Sequence, residues 1–280
     1  MDWLLEPFSH AFQQRALIAG SLTAIVFAVV GTWVVIRGMT FLGDALVHGV
    51  IPGIALAVLF DFSLLIGAAA AALVMVAGIN FVHRQTEFSE DTGIGLLFAG
   101  MLALGVILIS TTAGASGTLN SILFGNALGV TPLDIWVLGV VAVVTLGGTA
   151  LMYRRFIVLA FSEQKAALLG LRPQMTHVIL LVLLTLAIVG SFQTVGTLLI
   201  FGLMVGPPAT AALLVRRVPA MMLTAGVIGV LSVAGGLIIS FHAGTSGSAT
   251  MALLPIVLFF AVLSVKALRA RSTRQVAVDR

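Results

Sequence analysis

Nine stretches of this chain are apolar for long enough to cross a lipid bilayer as helices, and little sequence is left between them. They run over 16–36, 40–59, 63–82, 94–112, 133–152, 174–190, 194–215, 220–241 and 250–268. About 20 residues at about 1.5 Å rise each span a hydrocarbon layer about 30 Å thick. Inside that layer the backbone must satisfy its own hydrogen bonds, so each stretch reads as a helix. Composition agrees: the chain is 60% hydrophobic and 9% charged, more apolar surface than a water-soluble core can absorb. The expected fold is therefore all-α, a polytopic membrane helix bundle formed by residues 1–280 as one transmembrane unit. Spans 40–59 and 174–190 are short or interrupted by Pro or His, so either is open to a re-entrant course and the expectation is eight to nine crossings. No short Lys/Arg-led apolar segment with a cleavage site opens the chain, so the first span is expected to be retained.

Charge placement orients the bundle. Residues 266–280 form a basic tail, with Lys266, Arg269, Arg271, Arg274 and Arg280. Alternating outward from a cytoplasmic tail puts Arg216, Arg217, Arg172, Lys165, Arg155, Arg154, Arg84 and Arg37 on the same side. Of the 14 basic residues only Arg15 falls outside, as the positive-inside rule requires. Residues 1–15 then form an amphipathic outer leader. The net charge of +4 reports topology, and nucleic acid is not needed to explain it.

Several chemistries are absent from the sequence. There is no cysteine, which removes thiolate metal sites, disulfides and cysteine nucleophiles. The ten methionines have no repeating spacing, so they read as packing residues. No G-x-x-x-x-G-K-[ST] run occurs, so nucleotide is not bound through a P-loop.

Against this background Asp44 and His48 stand out, ionisable groups one helical turn apart near the start of an apolar span. An ionisable side chain in hydrocarbon costs roughly 2.5 kcal/mol or more. The pair offers one oxygen and one nitrogen, a donor set suited to divalent transition metals. An intrahelical ion pair that only rigidifies the bundle is the competing reading. Two donors are too few for a complete site, whereas a two-fold axis beside this span would supply two Asp and two His.

The loops differ in kind. Residues 83–93 form a charged cytoplasmic loop in which Ser89 caps a helix opened by Glu90 and Asp91, acids that suit the helix dipole; a part in metal exit is the alternative. Residues 113–132 carry no charge until the next span, and 119–128 is apolar enough to fold back as an outer half-helix. On the cytoplasmic side, Phe161–Leu171 reads as a short helix in the loop from Tyr153 to Pro173. Ser162 caps it, Glu163 suits its positive end, and Gly170 takes the left-handed turn that stops it. It projects like a part that docks on another protein, or rests on the membrane surface.

The ordered set of motifs resembles the permease subunits of zinc/manganese-type ABC importers, nearly end to end. The matching pieces are Phe41–Gly53, Ser89–Gly95, Leu123–Asn126, the Phe161–Leu171 helix, Gln193–Gly196, Leu203–Ala211 and Thr245–Thr250. The resemblance implies a homodimer in the bacterial inner membrane, paired with two cytoplasmic ATPase subunits and fed by an extracytoplasmic metal-binding protein. It implies that Asp44 and His48 ligate the transported ion. It assigns coupling to the ATPase to Ser162, Glu163, Lys165, Leu168, Leu169 and Gly170. Hydrolysis of ATP would belong to the partner, and no permanent cofactor is expected. In Gly206-Pro207-Pro208 a single Pro is the expected pattern; the second removes another backbone donor and is expected to sharpen a kink at the gate, with Pro52 a further break.

Zinc and manganese both accept Asp and His; zinc is favoured because a tetrahedral site of two Asp and two His suits it. Two other functions compete. A secondary metal-ion transporter would have only Asp44 and His48 as deep ionisable groups and shows no inverted repeat. An intramembrane serine protease would rest on the G-x-S-G tetrads at Ser116 and Ser246, with His242 nearby, but both serines fall in outer loops. His242 is near the outer end of its span, where a part in metal entry competes with a plain surface histidine. His177 and His10 lack a carboxylate at helical spacing.

Overall fold

The computed structural model describes residues 6–85, 90–111, 125 and 129–278, without the side chains of 83–85, 90, 91, 193 and 270–278. After a 3-10 turn at Glu6–Ser9 come α1 (Ala11–Ile36), α2 (Thr40–Gly49) and α3 (Ile51–Leu59). Then follow α4 (Leu64–Gln85), α5 (Glu90–Ser110) and α6 (Pro132–Phe161). The short α7 (Glu163–Leu168) leads into α8 (Pro173–Leu214), α9 (Val218–Ala243) and α10 (Gly247–Val278). Among the described residues nine helical segments are long and apolar enough to cross a membrane, and they coincide with the nine spans read from hydropathy.

Helix α8 holds two of those crossings. As one straight rod its 42 residues would reach about 63 Å, twice a bilayer. The backbone instead leaves helical geometry at Gly196 (φ 74°, ψ 164°), a conformation only glycine adopts without strain. The two limbs both return to the level where α1 ends. His177 on the first limb meets Arg37 just past α1, and Met204 and Pro208 on the second lie against Gly31. The span 174–190 is thus a full-length crossing, extended to 173–192. Span 40–59 is also nearly continuous, interrupted only at Val50 between α2 and α3.

Pro207 and Pro208 do not break the helix. Both are buried within α8, in helical backbone, and the departure from helical geometry is at Gly196. Pro208 lies against Gly31 of α1 and Pro207 near Gly229 of α9, so their rings serve packing. At the other end of the prediction scale, α6 runs past the expected residue 152 through Arg154 and Arg155 to Phe161. A capping box starts it: Thr131 Oγ1 accepts from Asp134 N (3.3 Å), and Asp134 Oδ2 accepts from Thr131 N (2.8 Å).

The core is built on α1 and α8, which pack on each other; α6, α9 and α10 lie around them, and α2–α5 form the flank that carries Asp44. Trp33 is fully buried and meets the rings of Tyr153 and Phe156 at 5.7 and 5.5 Å. Close helix approach depends on glycine at two crossings. A β-carbon on Gly31 would sit 2.1 Å from the Met204 carbonyl oxygen, and one on Gly53 2.0 Å from that of Gly67. Small residues at such crossings are the usual device for packing helices in lipid, where the hydrophobic effect gives no preference for helix over tail.

Candidate metal centre

One face of α2 is packed and the other is open. Leu42, Ala45, Leu46 and Val47 are buried, with Gly43 under Met204 of α8 and Gly49 against Met75 of α4. The partly open positions Thr40, Asp44 and His48 recur at every fourth residue, one stripe along the helix. Asp44 Oδ1 and His48 Nε2 are 3.5 Å apart, and a little over a quarter of each side chain is exposed (28% and 27%). Phe98 of α5 stands beside them, its ring edge-on to His48 at 6.0 Å and to Phe41 at 6.0 Å. The pair therefore has an aromatic wall on one side and an opening on the other.

Pro52 ends this arrangement. A residue at that position would normally donate its N–H to the carbonyl of His48, and proline has none. The carbonyl instead meets the N–H of Val50, and α2 stops one residue beyond His48, at Gly49. His48 thus closes a short, sharply ended helix.

Chemically the site provides one carboxylate and one imidazole on one wall. Among the described residues no group of three or more His, Cys, Asp and Glu is close enough to hold a metal. Among the described residues the pair thus stands as two donors without a third.

The other expected residues are dispersed. Ser162 Oγ accepts from Lys165 N (3.2 Å), which caps α7. Gly170 (φ 68°) ends it with bonds from Gly170 N to Ala167 O and from Leu171 N to Ala166 O, a Schellman stop. Ala166 anchors this helix, whereas Leu168 and Leu169 project with 87% and 66% of their surface exposed, beside exposed Glu163 and Lys165. His242 binds the Ile238 carbonyl of its own helix through Nδ1 (2.9 Å), and His10 packs on Phe12 and Phe241. Ser246 lies in the exposed turn before α10. Ser89, Ser116, the side chains of Glu90 and Asp91, and the expected half-helix at 119–128 apart from Gly125 lie outside the described residues.

Two features of the site, the Phe98 wall and the Met204 contact under Gly43, have no sequence signature, and the same holds away from the site for the 2.8 Å contact between Arg37 Nη1 and His177 Nδ1. Each joins segments far apart in the chain; the sequence marks Arg37 as a cytoplasmic charge and His177 as a histidine without a carboxylate at helical spacing, and does not pair them.

Comparison with known proteins places the chain. Residues 9–266 match the model of the ABC 3 transport family. The manganese transport system membrane protein MntC of Listeria monocytogenes is 37% identical over 90% of this chain and 89% of its own. The manganese import system permease protein ScaB of Streptococcus gordonii is 35% identical over 89% and 91%. Among solved structures, PsaBC from Streptococcus pneumoniae in complex with Fab superposes with a TM-score of 0.83 at 31% identity, covering 93% of this chain and 94% of that one. An all-helical, multi-pass architecture matched over nearly its whole length, by family model and by structure alike, means that this chain belongs to the ABC 3 transport family, as a membrane-spanning permease subunit of an ABC transporter.

Proposed function

We propose that this permease imports a divalent transition metal, handed over by an extracytoplasmic binding protein, and that Asp44 and His48 are its ligands during passage. The observation that carries the reading is the open stripe on α2: an oxygen and a nitrogen donor one turn apart inside an apolar span. Relatives named for manganese, and the probable iron transport system membrane protein of Haemophilus influenzae at 32% identity, support a transition-metal cargo. None of these names carries zinc, so the tetrahedral preference for zinc rests on the donor set alone, and manganese is the first ion to test.

The half-open pair also supports a homodimer. An ion pair facing hydrocarbon would lose its hydration for nothing, whereas a second copy related by a two-fold axis would cover it and add two donors. Two cytoplasmic ATPase subunits would dock on α7 of each copy, with Leu168 and Leu169 as apolar anchors and Glu163 and Lys165 at the rim. Ser162 and Gly170 fix that helix by its caps. Pro52, by ending α2 beside His48, gives the gate its discontinuity; Pro207 and Pro208, each without a backbone donor, are the matching gate or kink position on the second limb of α8. The chain would lie in the bacterial inner membrane with the amino terminus outside and the basic tail in the cytoplasm.

Equilibrium binding of Mn2+ and Zn2+ to the purified permease–ATPase complex tests the site. Saturable binding that is lost in His48→Ala supports it. Undiminished binding of both ions by that variant would remove it.

A further inference from the structure

We propose that the contact between Arg37 and His177 is a positioning joint through which movement of α7 reaches the metal-bearing helix α2. The proposal rests on the reading above, that α7 receives the ATPase and that Asp44 and His48 hold the cargo. What it adds is the route between them.

On the α7 side the connector is short and hydrogen-bonded. The Schellman stop closes α7 at Gly170, and Arg172 takes a left-handed conformation (φ 46°). The Thr176 hydroxyl then reaches back to the carbonyls of Leu171 (3.0 Å) and Arg172 (3.3 Å). His177 follows directly, in the opening turns of α8. Leu168 and His177 are thus joined by a short connector with hydrogen bonds at Gly170, Leu171 and Thr176, and α7 and α8 pack on each other.

The α2 side is built the same way. Gly38 (φ 69°) ends α1 in a second Schellman stop, with Gly38 N bonded to Val35 O (3.1 Å) and Met39 N to Val34 O (2.9 Å). Gly43 N then takes Met39 O (3.1 Å), so the turn runs straight into the helix of Asp44 and His48. Arg37 is the residue at which this turn begins. Its guanidinium meets His177 Nδ1 at 2.8 Å in a part-buried setting. Guanidinium only donates, so Nδ1 accepts and is unprotonated there. Met204, which lies on Gly43 of α2, belongs to the returning limb beyond the Gly196 break, and that contact is apolar.

A hydrogen-bonded connector, the directional Arg37–His177 contact and a hydrogen-bonded turn form a contiguous path of the kind that carries coupling between sites. Neither residue touches cargo in this scheme, so loss of the contact should spare metal binding and ATP hydrolysis while separating them.

The test uses the permease–ATPase complex in proteoliposomes with its Mn2+-loaded binding protein, reading Mn2+ uptake per ATP hydrolysed. His177→Leu and Arg37→Leu are expected to keep an assembled complex and basal hydrolysis within about twofold, while uptake per ATP falls about tenfold. His177→Asn, whose Oδ1 offers an acceptor close to the place of Nδ1, is expected to restore it. The double variant Arg37→Leu/His177→Leu is expected to be no worse than either single one. Should the leucine variants not assemble, Arg37→Gln, too short to reach the ring, is read by the same criterion. Wild-type uptake per ATP in an assembled variant, or a His177→Asn complex as uncoupled as His177→Leu, would overturn the proposal. Asp44→Asn run alongside separates the failures: normal uptake there counts against the metal site whatever the His177 variants do.

Discussion

Asp44 carries the negative charge on which passage of a cation depends in this reading. Asp44→Asn keeps the shape and removes the charge, and uptake is expected to fall at least about a hundredfold, the loss that corresponds to roughly 3 kcal/mol for an unpaired buried charge. Expression and basal ATP hydrolysis should persist, as a blot and a phosphate-release assay would show. Gly31 makes a different demand. Its β-carbon position is 2.1 Å from the Met204 carbonyl oxygen, and backbone on both sides leaves nothing flexible to give way. Gly31→Ala is expected to destabilise the bundle by about 3 kcal/mol or more, as overpacking at its upper range does. A thermal-unfolding scan in detergent checks it, with an unchanged midpoint as the contrary result.

At the scale of elements, α7 leaves Leu168 and Leu169 largely exposed, so a charge there costs the fold little. Leu168→Glu is expected to leave the permease folded and to abolish metal-stimulated ATP hydrolysis, or copurification with the ATPase altogether. A complex that copurifies and transports normally would withdraw the docking role of α7. The helix itself was legible because caps are local: Ser162 and Gly170 declare its ends through backbone geometry that needs no tertiary context. The nine spans were legible for a similar reason, since length and hydropathy are set by the bilayer. Junctions were less so. Hydropathy falls between 190 and 194 but does not say that the chain turns just after it, at Gly196, and the polar residues 153–155 hid the inner end of α6. Both rings of the proline pair sit in helical backbone against α1 and α9, and the departure from helical dihedrals comes earlier, at Gly196.

For the whole molecule, the donor pair could be read from the i, i+4 spacing of Asp44 and His48, but its surroundings could not. Phe98 and Met204 reach α2 from other spans, and packing between spans leaves no periodic trace in sequence. The opening beside the pair is the feature that asks for a second copy. Single cysteines placed near His48, in a chain that has none of its own, are expected to crosslink between copies in membranes; a monomer by mass in the intact transporter would contradict this. The most direct measurement concerns what the pair is for. Buried ion pairs that only hold a fold are often replaced by packed apolar residues without loss, whereas a metal site has no apolar substitute. In vesicles carrying the complete transporter, radiolabelled manganese uptake by Asp44→Leu/His48→Leu is expected to vanish while protein level and ATPase pairing stay normal. Uptake at the wild-type rate by that double variant would show that Asp44 and His48 are structural and that the ion passes elsewhere.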